Sequence, residues 1–204
     1  MGVGGNHVLV QCYLGSVAAQ NPQFSHILPP PVGEGRGRGE ETRFDMPAIL
    51  FVCTGNRCRS LVAAAAFCRL LEKTGCAGQW TVSSAGTWGK ADLPPVPAAI
   101  EAAKQRGLDI SASRSRVVDA QELAKSDLVV VMESGQQEAL VNEFPWVRQR
   151  VYLLAEIATG IPYDIPDPLR AEEEVEMSVR EICDLVEKGF APISQLARNN
   201  AQSS

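Results

Sequence analysis

The chain has 204 residues, 45% of them hydrophobic and 21% charged, and its formal net charge at pH 7 is −5. This length suits one globular domain with a tail. The acidic balance argues against a broad nucleic-acid surface, because binding to a phosphate backbone needs a basic face.

Residues 1–45 differ in composition from the rest of the chain. The stretch "ILPPPVGEGRGRGEETRFD" at residues 27–45 is rich in proline, glycine and charge and shows no amphipathic period. Such a segment buries too little apolar surface to offset the entropy lost on ordering. We therefore predict a disordered N-terminal extension over residues 1–45, a folded domain over 46–199 and a frayed C-terminus over 200–204.

The sequence shows neither a secretory signal peptide nor a membrane-spanning helix, and this predicts the cellular compartment. No Lys or Arg precedes Arg36, so the weak apolar run at residues 8–14 lacks the basic region that begins a secretory signal peptide. No apolar run approaches the length that a membrane-spanning helix needs. We therefore expect a cytoplasmic protein with no membrane partner and, given its acidic charge, no nucleic-acid partner.

From Met46 onward, strand-like and helix-like patterns alternate. The predicted strands are the apolar runs Ile49–Cys53, Trp80–Ser84, Leu128–Met132 and Val151–Leu154. Helices are predicted for Leu61–Lys73 and Pro97–Arg106, after the capping-box patterns Asp119–Glu122 and Ser134–Gln137, and from about Glu172. A proline-containing loop is expected after the last strand. This alternation implies one doubly wound α/β domain, with a four-stranded parallel sheet and helices on both faces.

The loop "CTGNRCRS" at residues 53–60 places a thiol where the first predicted strand ends. Active sites of doubly wound sheets lie beyond the carboxyl ends of the strands. Backbone N–H groups near a helix N-terminus cradle an anion, and the helix dipole there favours a thiolate at Cys53. Arg59 offers a planar fork of donors that suits phosphate. We therefore predict that Cys53 attacks phosphorus; a plain buried cysteine at a strand end is the alternative.

The other residues of this loop have predicted supporting roles. Gly55 is expected to adopt a backbone conformation that a side chain would strain. Asn56 is expected to accept left-handed geometry and to tie the loop through its amide. Ser60, at the predicted helix N-cap, can donate its hydroxyl to the sulfur. The predicted phosphate-binding residues are Thr54, Gly55, Asn56, Arg57, Cys58, Arg59 and Ser60.

A phosphomonoester reaction also needs a general acid for the leaving group. The stretch "YDIPDPLR" after the last predicted strand supplies Asp164 and Asp167. Asp167 stands between two prolines, whose fixed φ makes a stiff turn that can hold a carboxyl over a pocket. We therefore predict that Asp167 is the acid, with Asp164 as a helper or a solvated turn residue.

The sequence predicts neither a metal nor another cofactor. Its two histidines, His7 and His26, both lie in the predicted extension. A histidine-based metal site or a Cys–His catalytic pair is therefore not expected in the domain. Cys53 and Cys58 form one close pair, but no second pair of suitable spacing follows for zinc.

The residues 53–60, the stretch "SSAGT" at 83–87 and the Asp167-Pro168 pair together resemble the low-molecular-weight protein tyrosine phosphatase family, over about residues 46–190. The resemblance implies a flavodoxin-like sheet and a hydrolase that needs no metal. It implies a phosphocysteine intermediate on Cys53, phosphate binding by Arg59, and Asp167 acting first as acid and then as base.

The resemblance has further implications for redox chemistry and for substrates. It implies that Cys58 can form a reversible disulfide with Cys53 under oxidation. The implied partner is a phosphorylated protein, with tyrosine the favoured site, or a small aryl phosphate. Trp88, directly after "SSAGT", resembles the aromatic residue that lines the family's pocket, and simple packing is the alternative.

The chain departs from the family at several positions. Members that act on phosphotyrosine usually carry aromatic residues after the Asp-Pro pair, where this chain has Leu169 and Arg170. The position of Arg57 is usually apolar in tyrosine phosphatases, Thr in related protein arginine phosphatases and Ser in many related arsenate reductases. Arg57 either points into solvent or faces the pocket rim, where its charge would repel a phosphoguanidinium. We predict that phosphoarginine is a poorer substrate than phosphotyrosine.

Three alternatives to a tyrosine phosphatase remain. A protein arginine phosphatase or an arsenate reductase could use the same fold. The resemblance to thiol-linked arsenate reductases implies two further cysteines in the far half of the domain, and none stands between Cys76 and Cys183. The alternative of a different class is an inactive phosphate-binding module, against which the complete set of Cys, Arg, Ser and Asp positions argues.

Overall fold

The sheet has four parallel strands, as predicted. The computed structural model of the chain describes residues 46–168 and 172–203, apart from the side chains of residues 172 and 173. The strand order is β2-β1-β3-β4, and β1 therefore pairs with a neighbour on each side. The strands are β1 (Ala48–Cys53), β2 (Thr81–Gly86), β3 (Leu128–Val131) and β4 (Val151–Leu153).

Helices cover both faces of the sheet, which confirms the predicted doubly wound architecture. The helices are α1 (Arg59–Lys73), α2 (Pro97–Gln105), α3 (Ala120–Ala124), α4 (Ser134–Glu143), α5 (Leu154–Thr159) and α6 (Glu172–Ala201). Alternate β1 side chains enter two separate cores because successive residues of a strand point to opposite faces. Ile49 and Phe51 pack with apolar residues of α1, α2, α5 and α6. Leu50 and Val52 pack with Leu123 of α3 and Leu140 of α4.

The start of α1 differs from its prediction. The helix begins at Arg59 with Cys58 before it, so Ser60 lies in the first turn and is not the N-cap. The Ser60 hydroxyl contacts Asn56 and Cys53, and the first turn has no side-chain cap. The role predicted for this hydroxyl toward sulfur therefore does not depend on the cap position.

The capping box predicted at Ser134–Gln137 is also displaced. The reciprocal bonds are made one residue earlier, by the side chains of Glu133 and Gln136. Ser134 does not cap the helix itself, because its backbone N–H and its hydroxyl both donate to Asp164. Asp119 caps α3 as predicted, accepting a hydrogen bond from the backbone of Glu122.

The segment after β4 was predicted as a loop but begins with the short helix α5. Leu154, predicted as the last strand residue, is the first residue of this helix. The helix ends at Gly160, whose φ of 76° suits glycine. Leu154, Ala155 and Ala158 bury the apolar side of α5 in the same core as α6.

The predicted extension and the residues Leu169 and Arg170 lie outside the described residues, and the domain boundaries stay a prediction. Within residues 46–168 and 172–203, no helix combines the length and the apolar character needed to span a bilayer.

Candidate active site

The phosphate loop, residues 53–60, joins the end of β1 to the start of α1. Two backbone hydrogen bonds tie it to the residues after β2: Thr87 donates to the carbonyl of Cys53 (2.9 Å), and Trp88 donates to the carbonyl of Thr54 (3.0 Å). The loop is thus fixed at the carboxyl edge of the sheet, where the doubly wound fold predicts a site.

The glycine that this close approach requires is Gly86 and not Gly55. A Cβ on Gly86 would lie 2.5 Å from the carbonyl oxygen of Thr54, so a side chain there would displace the loop. Gly55 does not have a positive φ, and a Cβ there would meet no atom within 4 Å. The prediction that a side chain would strain Gly55 is therefore wrong.

Asn56 fixes the shape of the phosphate loop, as expected from its tolerance of left-handed geometry. Its φ is 51°, and its side chain is fully buried. The amide nitrogen donates to the hydroxyls of Ser60 (2.9 Å) and Ser84 (3.0 Å), and the amide oxygen accepts from the backbone N–H of Arg116 (3.0 Å). The first bond closes the loop on itself, and the other two join it to β2 and to the segment that follows α2.

Cys53 and Ser60 are in direct contact. The Sγ of Cys53 lies 3.1 Å from the Oγ of Ser60. Because the Ser60 oxygen already accepts a hydrogen bond from Asn56, its own hydrogen is free to point toward the sulfur. A hydroxyl that donates to sulfur stabilises a thiolate more than a thiol, since bonds to a charged acceptor are the stronger ones.

Arg59 and Asp167 are also brought together, although 108 positions separate them in the chain. The guanidinium of Arg59 is buried, with 1% of its side chain exposed, and its Nη2 lies 3.1 Å from the Oδ2 of Asp167. The Asp167 side chain is 41% exposed. The buried guanidinium of Arg59 and the exposed carboxyl of Asp167 are therefore neighbours in the site.

Glu133 and Gln136 belong to this site, and the sequence analysis did not assign them to it. The Oε2 of Glu133 lies 2.8 Å from Nη1 of Arg59. Gln136 donates to this carboxylate (2.6 Å) and to the Thr54 hydroxyl (3.1 Å), and accepts from the backbone N–H of Glu133 (3.1 Å). The one sequence signal was the capping pattern after β3, which places polar residues at the carboxyl end of a central strand.

Asp164 has a different role from Asp167. Its carboxylate accepts from the backbone N–H of Ser134 (2.7 Å) and from the Ser134 hydroxyl (3.0 Å). It thereby satisfies a donor in the first turn of α4, where a negative charge is stabilised by the helix dipole. Among the contacts of the described residues, Asp167 is the one of these two carboxylates that contacts Arg59.

The second cysteine of the loop is a neutral thiol at ordinary pH. Cys58 is buried, and this burial, together with the negative charge of Cys53, raises the pKa of its thiol to about 12. The positive charge of Arg59 opposes this rise in pKa without cancelling it. Cys58 is therefore a poor nucleophile at this pH, because the thiolate is the reactive form.

Arg57 is tied to the loop that precedes α2. Its Nε donates to the carbonyl of Pro94 (2.9 Å), and its own carbonyl accepts from the backbone N–H of Val96 (3.0 Å). Nη1 and Nη2 have no partner among the described residues. Trp88 is 78% exposed, so the alternative that this indole simply packs in the core is wrong.

The described residues contain no group of three or more His, Cys, Asp or Glu side chains arranged to hold a metal ion. No disulfide joins the cysteines of the described residues, which are Cys53, Cys58, Cys68, Cys76 and Cys183.

Comparison with known proteins gives one family. The model of the family described as low molecular weight phosphotyrosine protein phosphatase matches residues 48–202. A protein-arginine-phosphatase of Bacillus subtilis is 31% identical over 134 residues, which are 65% of this chain and 87% of the relative. A protein of Ralstonia nicotianae named "probable low molecular weight protein-tyrosine-phosphatase EpsP" is 32% identical over 139 residues, 66% of this chain and 90% of the relative. Proteins named arsenate reductase also match.

Solved structures of the same kind superpose on the chain. The crystal structure of a low molecular weight protein tyrosine phosphatase from T. tengcongensis has a TM-score of 0.64 and 30% identity, covering 69% of this chain and 95% of that protein. Sequence and fold therefore lead to the same group of proteins.

Proposed function

The chain belongs to the low molecular weight phosphotyrosine protein phosphatase family, and we propose that it hydrolyses phosphotyrosine in proteins through a phosphocysteine intermediate on Cys53. The observation that carries this proposal is the contact of Cys53 with Ser60 at one end of a loop whose Arg59 meets Asp167. These contacts supply a nucleophile, a phosphate ligand and a proton donor.

In the first step, the Cys53 sulfur attacks phosphorus while the bond from phosphorus to the leaving oxygen breaks. The leaving oxygen takes the proton of Asp167, whose exposed carboxyl can reach the leaving group. The phosphate oxygens accept hydrogen bonds from the backbone of residues 54–59 and from Arg59. Arg59 then exchanges its contacts with Glu133 and Asp167 for contacts with phosphate.

In the second step, water attacks the phosphocysteine and Asp167, now ionised, takes a proton from that water. The bond from phosphorus to sulfur breaks, and inorganic phosphate and the Cys53 thiolate are released. The Ser60 hydroxyl stabilises the departing thiolate, because the negative charge develops 3.1 Å from its oxygen.

Phosphotyrosine in a protein is the proposed substrate, with small aryl phosphates as surrogates. The exposed indole of Trp88, bonded through its backbone to Thr54, offers an apolar face beside the phosphate loop for an aromatic leaving group. We propose no nucleic-acid or membrane partner and a cytoplasmic location. The cysteines of the described residues form no disulfide, which suits a reducing compartment.

Protein arginine phosphatase is the second candidate, since relatives carry that name. The positive charge of Arg57 in the phosphate loop argues against this activity, because it would repel a phosphoguanidinium. This is why we predict that phosphoarginine is the poorer substrate. The absence of cysteines between Cys76 and Cys183 in the sequence argues against a thiol-linked arsenate reductase.

We also propose that Cys58 protects the nucleophile against oxidation. Peroxide converts the Cys53 thiolate to a sulfenic acid and is itself reduced to water. Before oxidation, the negative charge of Cys53 raises the pKa of the Cys58 thiol. The sulfenic acid is neutral, so this contribution to the pKa is lost and the Cys58 thiol ionises more readily. The Cys58 sulfur then displaces hydroxide, which leaves as water with the thiol proton, and a disulfide forms.

Hydrolysis of an aryl phosphate by the wild type, Cys53→Ser and Asp167→Ala tests the proposed function. Wild-type turnover that is abolished by the first variant and strongly slowed by the second is the expected result. Unchanged hydrolysis in Cys53→Ser would refute the assignment of Cys53 as the nucleophile. If the wild type hydrolyses no aryl phosphate, the hypothesis of an inactive phosphate-binding module remains.

A further inference from the structure

A cavity of about 750 Å³ opens beside the catalytic acid, between the loop that carries Asp167 and one side of α6. Among its described lining residues are four carboxylates and no basic side chain: Glu133, Asp167, Glu174 and Glu181. It shares Asp167 and Glu133 with the contacts of Arg59, so the phosphate site and the cavity adjoin each other.

The charges of the cavity are only partly compensated. Arg59 pairs with Glu133 and Asp167, and Glu181 accepts a hydrogen bond from the hydroxyl of Tyr163 (3.1 Å). Glu174 has no partner among the described residues. When a phosphate group takes the donors of Arg59, the Glu133 carboxylate loses its cationic partner, whereas Asp167 carries the proton that it gives to the leaving group.

A second observation marks the wall of the cavity as a place for a hydrogen-bond donor. Ser178 of α6 lines the cavity with 7% of its surface exposed, and its hydroxyl has no hydrogen-bond partner among the described residues. An unpartnered polar group at a buried site is costly, and native proteins satisfy nearly all such groups. The oxygen itself is buried in this side-chain conformation, and rotation about the Cα–Cβ bond would turn it toward the cavity, where an N–H donor of a ligand would satisfy it.

The ligand that fits is an organic cation on a long apolar stem. The described residues contain no group of carboxylates arranged to hold a metal ion, which argues against a bare metal ion in this cavity. Met177, which is 61% exposed, and Ile165 and Pro168 add apolar wall. Lys and Arg side chains combine a charged end group with methylene groups that pack on such surfaces.

We propose that this cavity binds a Lys or Arg side chain of the substrate protein close in sequence to the phosphorylated residue, because the cavity shares Asp167 and Glu133 with the contacts of Arg59. This inference rests on the proposed function and adds a substrate class to it: phosphoproteins with a basic residue beside the phosphorylated one. Glu174 and Glu181 provide the charge, and Ser178 accepts a hydrogen bond.

The test compares three phosphotyrosine peptides that differ only at one flanking position, which is Arg, Gln or Glu. For the wild type at low salt, kcat/KM is expected to be about tenfold higher for the Arg peptide than for the Glu peptide, and the ratio should shrink as salt screens the charges. In the double variant Glu174→Gln/Glu181→Gln, the ratio should fall toward one. The matched variant Glu143→Gln/Glu187→Gln removes two exposed charges outside the cavity and should keep the wild-type ratio.

Equal kcat/KM for the three peptides in the wild type would overturn this inference, as would a ratio that survives in the Glu174→Gln/Glu181→Gln variant. A preference that emerges only in Arg170→Ala would overturn it too, because the occupant would then be an arginine of this chain. Hydrolysis of p-nitrophenyl phosphate distinguishes failure of the proposed function from failure of this inference. A wild type that does not hydrolyse it refutes the proposed function. A wild type that hydrolyses it but shows no preference among the peptides refutes only the subsite for a basic side chain.

Discussion

The Oγ of Ser60 lies 3.1 Å from the Sγ of Cys53 and at the same time accepts a hydrogen bond from Asn56. The Ser60 hydroxyl can therefore donate its own hydrogen to the sulfur. Ser60→Ala removes a hydrogen bond to a charged group, and kcat for an aryl phosphate should fall about 10- to 100-fold. Steady-state hydrolysis measures the effect, with Ser203→Ala, an exposed residue after the end of α6, as the control. A variant with wild-type kcat would show that this contact does not act in turnover.

Asp167 and Asp164 should separate into a catalytic and a structural residue. Asp167→Asn should lower kcat about 10²- to 10⁴-fold for phenyl phosphate, whose leaving group needs a proton, and less for p-nitrophenyl phosphate. Asp164→Asn retains an oxygen that can accept from Ser134, so Asp164→Ala is the sharper variant. It should lower the free energy of unfolding by about 1 kcal/mol while keeping most of kcat. Urea unfolding and kinetics of both variants check this; equal losses of activity would contradict the assignment.

Cys58 should determine whether oxidative inactivation is reversible. After brief treatment with hydrogen peroxide, the wild type should lose activity and regain most of it with a thiol reductant. Cys58→Ser cannot form the disulfide, so Cys53 should proceed to irreversible sulfinic and sulfonic acids. Recovered activity and peptide mass spectrometry measure both outcomes. Full recovery of the variant under the same conditions would exclude the protective role.

Arg57 should discriminate against phosphoarginine. Its guanidinium is held next to the phosphate loop by the 2.9 Å bond from Nε to the carbonyl of Pro94. Arg57→Thr removes a positive charge, and the ratio of kcat/KM for phosphoarginine to that for phosphotyrosine should rise several-fold at low salt. Arg57→Lys keeps the charge and should keep the ratio near that of the wild type. Wild-type protein that prefers phosphoarginine would refute the prediction.

The strands could be predicted because buried parallel strands are short, continuous apolar runs. Their ends could not, because pairing with a neighbour determines them. Gly86 belongs to β2 because it pairs with Cys53 of the neighbouring strand. Glycine by itself does not indicate a strand. The helix at Leu154–Thr159 was missed because six residues are too few to show a helical period.

The contacts within the phosphate loop could be predicted because the residues that make them are close in sequence. Cys53, Asn56 and Ser60 lie within eight residues, and their contacts follow from the strand-loop-helix order. The partners that enter from other parts of the chain could not be predicted. The bond from Gln136 to Thr54 spans 82 positions, and the ion pair of Glu133 with Arg59 depends on the register of β3 beside β1.

The central claim is that phosphate is transferred to the sulfur of Cys53. Rapid quenching of Asp167→Ala during turnover of p-nitrophenyl phosphate, followed by peptide mass spectrometry, tests it most directly. This leaving group depends little on the acid, so the intermediate still forms, whereas loss of the base slows its hydrolysis. We predict a phosphate on the peptide that contains Cys53, and neither label nor turnover in Cys53→Ser. Phosphate on another residue, or turnover that persists in Cys53→Ser, would contradict the mechanism.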